Sequence, residues 1–214
     1  MPQTVAAIIL AAGRSSRMEN GHHKLLLPLG DRAVLSHVVS TVLASKARPL
    51  VIVLGYRAEQ IRALLSPYAV QPEVMVIENP EYQQGMSTSL RKGIETLMML
   101  PYIVDGALII LGDQPLMTPD VINAMIETRQ DTGKLIVAAL YNGQRGNPTF
   151  FDARLFPELL AITGDEGART VLARHRQEMA TIDVDDDTLN YDVDTWESYQ
   201  QVVTVWERRF REFT

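Results

Sequence analysis

Five short, unbroken apolar runs punctuate the chain, at residues 5–10 (VAAIIL), 50–54 (LVIVL), 74–77 (VMVI), 108–111 (LIIL) and 135–140 (LIVAAL). A strand with one wet face alternates apolar and polar residues. Continuous runs of this kind are expected instead in a parallel sheet covered on both faces. The first run stops at Ala11-Ala12-Gly13, the second at Gly55, the third before Asn79-Pro80 and the fourth at Gly112-Asp113. Residues 33–43, 58–65 and 87–100 lie between the runs and carry apolar positions three and four apart, with Ser87 or Thr88 as a possible helix cap. Thr118-Pro119 opens a further helix over 120–128, with Pro in its first turn. The strand–helix alternation predicts the α/β class, a doubly wound domain.

The second half is less regular. Residues 141–148 (YNGQRGNP) read as turn, 149–151 as a short strand, and 164–169 (GDEGAR) as a helix opening. The acidic run 183–187 reads as a solvated loop, and 195–213 as a terminal amphipathic helix whose Trp196 and Trp206 pack on the sheet. The nine Met residues read as core filler. No linker or repeat divides the 214 residues, so a single domain over 1–214 is expected.

Composition excludes several classes of chemistry. There is no cysteine, hence no disulfide, Cys-ligated zinc, cysteine-held iron–sulfur cluster or thiol nucleophile. No leader pattern opens the chain and no apolar run reaches about 18 residues, so the expected place is the cytoplasm, with no membrane partner. A net charge of −6 argues against a general nucleic-acid binder but permits a local basic pocket.

In an open parallel sheet, ligands bind beyond the carboxyl ends of the strands, and the chemistry-bearing segments lie there. After the first strand comes Leu10-Ala11-Ala12-Gly13-Arg14-Ser15-Ser16-Arg17, with Lys24 further on. Small side chains let backbone N–H groups approach an anion, and Arg17 and Lys24 add positive charge, which suits a triphosphate. The spacing is neither a Walker A nor a G-x-G-x-x-G motif, and a plain strand-to-helix turn with solvated basic residues is the competing reading. Asp113, directly after a buried strand, suits a Mg²⁺ ligand in a phosphate site, or a turn cap. Asp192 and Asp194 alternate with Val193 and share one side if extended; either could complete a metal site, and Asp194 could instead cap the last helix. Asn79 and Ser87 flank a helix start suited to an anion or to simple capping. Ser87 is not read as a nucleophile, because none of the four His sits in a triad context. Arg145 could bind an anionic second substrate or be a solvated loop arginine. His22 and His23 cannot share one helical face, and no third His is near, so a metal role is not assigned to them.

Taken together, LAAGRSSRM (10–18), Lys24, NP (79–80), GMSTS (85–89), GDQP (112–115), RGNP (145–148), GDEGAR (164–169) and DVDT (192–195) resemble, in order, the nucleotidyltransferases of the molybdenum cofactor pathway. The set looks most like the molybdenum cofactor cytidylyltransferases and relatives that serve maturation of xanthine dehydrogenase-type enzymes. The resemblance implies a Rossmann-like, mostly parallel three-layer α/β/α domain of the nucleotide-diphospho-sugar transferase (GT-A-like) kind. It implies transfer of CMP from CTP to the terminal phosphate of molybdopterin or molybdenum cofactor, releasing pyrophosphate. Guanylyl-transferring cousins typically have Gly-Gly in place of Ala11-Ala12, hence CTP over GTP. Lys24, Arg17 and Asp113 would be catalytic. Leu10, Ala11, Ala12, Gly13, Arg14, Ser15, Asn79 and Ser87 would join Arg17, Lys24 and Asp113 around the nucleotide. Asp113 and Asp194 would hold Mg²⁺. Gln114, Arg145 and Asn147 would meet the second substrate, although relatives often have His at position 147. A molybdenum hydroxylase or its maturation factor is an implied partner. The competing readings are GTP or a sugar or alditol phosphate as substrate, and a non-catalytic cofactor-binding maturation factor.

Overall fold

The first strand, β1 (Val5–Ala11), shows why its run is continuous. Val5, Ala7, Ile9 and Ala11 enter one apolar cluster, while Ala6 and Ile8 enter a second on the opposite face. Successive strand side chains point to opposite faces, so a strand apolar at every position needs cover on both. The computed structural model, which describes residues 4–18, 22–164 and 167–212, supplies that cover.

The first face is covered by α1 (Val34–Ala44), α2 (Ala58–Leu65) and α4 (Pro119–Thr132), through residues such as Val38, Ile61 and Ile122. The second is covered by α3 (Met86–Met98), α5 (Phe156–Leu160) and α6 (Arg169–Arg174), through Leu90, Ile94, Leu159 and Val171. Each fully buried Leu or Ile contributes roughly 1.5–3 kcal/mol. A Cβ at Gly93 of α3 would lie 2.6 Å from Ile8 Cγ2, so this helix approaches β1 as closely as only glycine allows.

The remaining sheet strands are β4 (Leu50–Leu54), β5 (Val74–Glu78), β6 (Gly106–Leu111), β7 (Ile136–Tyr141), β8 (Gln144–Asp152) and β9 (Met179–Val184). A two-stranded hairpin of β2 (Pro28–Leu29) and β3 (Arg32–Ala33) stands apart from the sheet. The seven-stranded order is β5-β4-β1-β6-β8-β7-β9, and only β8 runs against its neighbours. The chain leaves β1 toward β4 and β5, then returns to β6 on the other side of β1. The crevice beyond the ends of β1 and β6 is therefore the topological switch point, where ligands bind in open α/β sheets. The α/β, mostly parallel, Rossmann-like architecture is as expected from the sequence.

Several local expectations are corrected. Residues 144–148 are strand, not turn. The turn is Asn142-Gly143, with φ of 50° and 74°, the positive pair that a tight hairpin uses, and the expected strand 149–151 is the end of nine-residue β8. Asp183 lies in edge strand β9, paired parallel to β7, rather than in a solvated loop. Helix α3 starts at Met86 behind Gly85, and Ser87 and Thr88 lie inside it. Helix α6 starts at Arg169; Asp165 and Glu166 lie outside the described residues, as does the Phe213 end expected for the last helix. That helix, α7 (Trp196–Glu212), packs Trp206 on the β2–β3 hairpin and not on the sheet. Gly30 of the hairpin, at φ 62°, has room for no side chain, since a Cβ would lie 2.2 Å from Trp206 Cη2. Trp196 is 39% exposed and contacts Tyr199. Among the described residues, no helix is long and apolar enough to cross a membrane.

Candidate active site

Three distant segments of the chain, carrying Lys24, Asp113 and Asp194, converge beyond β1 and β6. The loop after β1 turns at Ser15, whose φ is 54° and whose carbonyl accepts the Met18 N–H at 3.0 Å. Ser15 Oγ accepts the backbone N–H of Lys24 at 3.2 Å, which ties the loop to the lysine. Lys24 opens a short 3-10 turn over Lys24–Leu26. Its Nζ lies 2.5 Å from Asp113 Oδ2, just past β6, and 3.2 Å from Asp194 Oδ1. The guanidinium of Arg17 pairs with the other oxygen of Asp194.

A small third core holds these distant segments together. Met18, Leu27, Leu29, Leu116, Val193 and Val202 pack beside Trp206, so the β1 loop, the chain after Lys24, the chain after Asp113 and α7 share one apolar footing. Val193 is fully buried there and its N–H donates to Asp113 O at 2.9 Å. The flanking Asp192 and Asp194 therefore face the other way, as their alternation predicts. Asp194 is not the cap of the last helix. Thr195 precedes α7, its Oγ1 accepts the Ser198 N–H at 3.2 Å, and Ser198 Oγ accepts the Asp194 and Thr195 N–H groups at 2.9 and 3.0 Å. This reciprocal capping leaves the Asp194 carboxylate to Lys24 and Arg17.

The charges are balanced in a dry setting. The side chains of Lys24 and Asp113 are 15% and 12% exposed. Burial opposes the charge on Lys24, but Asp113 and Asp194 outweigh it and hold its pKa above the usual lysine value. Burial likewise opposes ionisation of Asp194, but Lys24 and Arg17 outweigh it and hold its carboxyl below the usual range. At Asp192, partial burial and then the charges of Asp113 and Asp194 outweigh Lys24 and push the carboxyl up. Asp113 Oδ1 is buried with no hydrogen-bond partner among the described residues. A buried carboxylate oxygen left bare is costly and marks a place for a cation or donor.

No group of three or more His, Asp or Glu among the described residues is arranged to hold a metal ion by itself. Two carboxylates fit a hard divalent cation that takes its remaining oxygens from phosphates and water, the usual habit of Mg²⁺ in nucleotide sites.

A cleft of about 370 Å³ opens above this cluster, lined by Leu10, Ala11, Ala12, Gly13, Arg14, Lys24 and Asp113 together with Ser16, Tyr82, Gln83, Met86 and Ser89. A second cleft of about 350 Å³ adjoins it, sharing Leu10, Met86 and Leu111, and is edged by Arg145, Asn147 and Arg169 over an apolar floor. Two joined clefts of this size suit two substrates side by side.

Some expected site residues are placed otherwise. Asn79 is 2% exposed, and its side chain is engaged by Thr88 Oγ1, Ser89 Oγ and the Glu81 N–H, so it holds the start of α3 and does not line the cleft. Ser87 is fully buried and its N–H donates to Gly164 O. Ser15 supports Lys24 from behind the cleft wall, and Arg17 reaches the site through Asp194. Gln114 is also buried, and its Nε2 donates to Asn190 O at 3.1 Å. Asn190 Oδ1 accepts the Asn147 N–H at 3.2 Å, so Asn190 joins the Asp113–Gln114 turn to the second cleft. No local pattern in the sequence singles out this Asn; only the tertiary pairing reveals it.

A family model described as a MobA-like NTP transferase domain matches residues 7–179. The purine catabolism protein PucB of Bacillus subtilis is 29% identical over 201 residues, covering 91% of this chain and 94% of that protein. The molybdenum cofactor cytidylyltransferase of Escherichia coli is 30% identical over 144 residues, covering 67% and 68%. Rv0371C of Mycobacterium tuberculosis, solved as a complex with manganese, is 26% identical with a TM-score of 0.72, covering 95% of this chain and 100% of that one. The chain belongs to the MobA-like NTP transferase domain family and is a nucleotidyltransferase.

Proposed function

We propose that the protein transfers CMP from CTP to the terminal phosphate of molybdopterin or the molybdenum cofactor, releasing pyrophosphate. The observation that carries the reading is the Lys24–Asp113–Asp194 cluster at the mouth of a small-residue loop, with an arginine-edged cleft adjoining it. The choice of CTP and of the pterin is supported by the likeness to the Escherichia coli cytidylyltransferase and by Ala11-Ala12 in the loop.

The chain's own groups do the following. Backbone N–H groups of the 12–16 loop receive the triphosphate. Lys24 exchanges its carboxylate partners for phosphate oxygens, and Arg17 follows from Asp194. Arg145 and Arg169 hold the anionic acceptor so that its phosphate oxygen faces the α-phosphorus in line. The new P–O bond forms as the bond to the β-phosphate breaks, and Lys24 offsets the charge that grows on the leaving pyrophosphate. The acceptor is already an anion, so no general base is required. A divalent cation held by Asp113 and Asp194 would supply charge neutralisation to the phosphates.

The test is a panel of CTP, GTP, UTP and ATP with Mg²⁺ and molybdopterin, read by pyrophosphate release and by nucleotide-induced thermal shift. CTP should support turnover best and stabilise the fold by about 2.7 kcal/mol at a hundred times its Kd. Preference for GTP, or equal turnover without the pterin, would overturn the assignment.

A further inference from the structure

His23 is the residue before Lys24, and the transfer chemistry above leaves it unused. It is 3% exposed. It caps the Lys24–Leu26 turn: its carbonyl accepts the Leu26 N–H at 2.9 Å, and its Nδ1 accepts the Leu25 N–H in a long contact of 3.4 Å. Its ring stacks on Tyr56, with centroids 5.7 Å apart and planes 14° apart. Tyr56 in turn donates its N–H to Ala12 O at 3.2 Å, in the loop after β1. The backbone of Lys24 is thus held from two sides, by Ser15 Oγ and by the His23 cap.

We infer that His23 is a positioning residue for Lys24, its unprotonated Nδ1 setting the turn that aims the lysine into the phosphate site. An imidazole whose Nδ1 accepts carries its proton on Nε2, which is buried, and the backbone of Gly13 and Tyr56 beside the ring opposes only in part the fall in its pKa. Burial first, then the charges of Arg57 and Lys24, lower the His23 pKa to about 4, so the ring stays neutral and the acceptor stays available near neutral pH. The Lys24 stem has a fixed reach and its ammonium is held in the Asp113–Asp194 cluster, so where its backbone is fixed decides how well the ammonium meets the site. Displacing a reacting contact by about 1 Å can cost a hundredfold in rate.

The inference rests on Lys24 acting in nucleotidyl transfer. The experiment compares wild type with His23→Phe, which keeps a stacking ring but no acceptor, and His23→Asn, which keeps a short acceptor at a favoured cap position and no ring. Pyrophosphate release is measured for kcat and for nucleotide KM, beside thermal stability. His23→Phe should lose about tenfold or more in kcat with KM changed less than about threefold, and His23→Asn should hold kcat within about threefold of wild type. Wild-type kcat in His23→Phe would overturn the inference, as would His23→Asn folded but no faster than His23→Phe. If His23→Phe does not fold, His23→Leu, the size of Asn without an acceptor, takes its place: a loss of about tenfold in kcat beside a near-wild-type His23→Asn supports the role, and equal kcat in the two refutes it. Should wild type turn over GTP and not CTP, the proposed substrate fails, and the same comparison is made with GTP.

Discussion

Replacing Lys24 with Ala should lower kcat for pyrophosphate release by about 10²–10³, a loss of roughly 3–4 kcal/mol of transition-state stabilisation. The side chain is largely buried between Asp113 and Asp194, so its charge acts where water does not screen it. Its chemistry is that of a point charge on a long stem. Lys24→Arg should therefore recover little, because the wider planar fork does not fit a position already within 2.5 Å of Asp113. The fold should survive, since the adjoining apolar residues Leu25, Leu27 and Leu29 remain in place. Removing the ammonium leaves Asp113 and Asp194 facing each other beside Asp192, whose carboxyl is already pushed up. Steady-state kinetics and circular dichroism on the same preparation check both halves. Wild-type turnover in a folded Lys24→Ala would remove the lysine from the mechanism.

Replacing Asp113 with Asn should cost a similar factor, about 10²–10³ in kcat, with a different signature. The substitution keeps the size of the side chain and leaves the backbone carbonyl that accepts the Val193 N–H, so the Asp192–Asp194 segment should stay docked. What is lost is the negative charge and one of the two carboxylate oxygens, while an amide oxygen remains. A neutral amide is a weaker ligand for a hard cation, so raising the Mg²⁺ concentration should recover part of the Asp113→Asn rate. The same addition should do nothing for Lys24→Ala. Titrating Mg²⁺ across the two variants separates a cation ligand from a phosphate ligand. Full activity in Asp113→Asn at ordinary Mg²⁺ would refute the metal assignment.

The parts of this molecule readable from sequence are those where burial acts on every residue of a segment. Strands β1, β4, β6 and β7 are apolar because both faces are covered, edge strand β5 is apolar from Val74 to Ile77 although only Val74 is buried, and the positions of all five are legible to within a residue or two. Strand β8 is not legible in its first half, where Arg145, Gly146 and Asn147 border the second cleft and carry polar or small side chains for that reason. Edge strand β9 has no residue buried throughout, so its pattern is weak and Asp183 looks like part of the acidic loop that follows. Trp206 could be placed on the last helix but not assigned its neighbour, because periodicity shows a buried face and not what buries it. The site divides in the same way. The small-residue loop, Lys24, Asp113 and Asp194 are marked by charge and small side chains at strand ends and are brought together. Asn79 and Ser87 carry the same polar signal, but their partners are protein groups that fasten α3. Asn190 acts through tertiary contacts for which no spacing in the chain exists, and His23 caps its own turn locally while its stacking on Tyr56 is tertiary.

The most direct measurement is a crystal structure of the protein with Mg²⁺ and a CTP analogue that cannot release pyrophosphate. The expected result is a cation about 2.1 Å from carboxylate oxygens of Asp113 and Asp194, with the triphosphate on the Ala12–Ser16 backbone and Lys24 Nζ turned onto a phosphate oxygen. A nucleotide seated away from β1 and β6, with Lys24 still paired to Asp113 and Asp194, would contradict it.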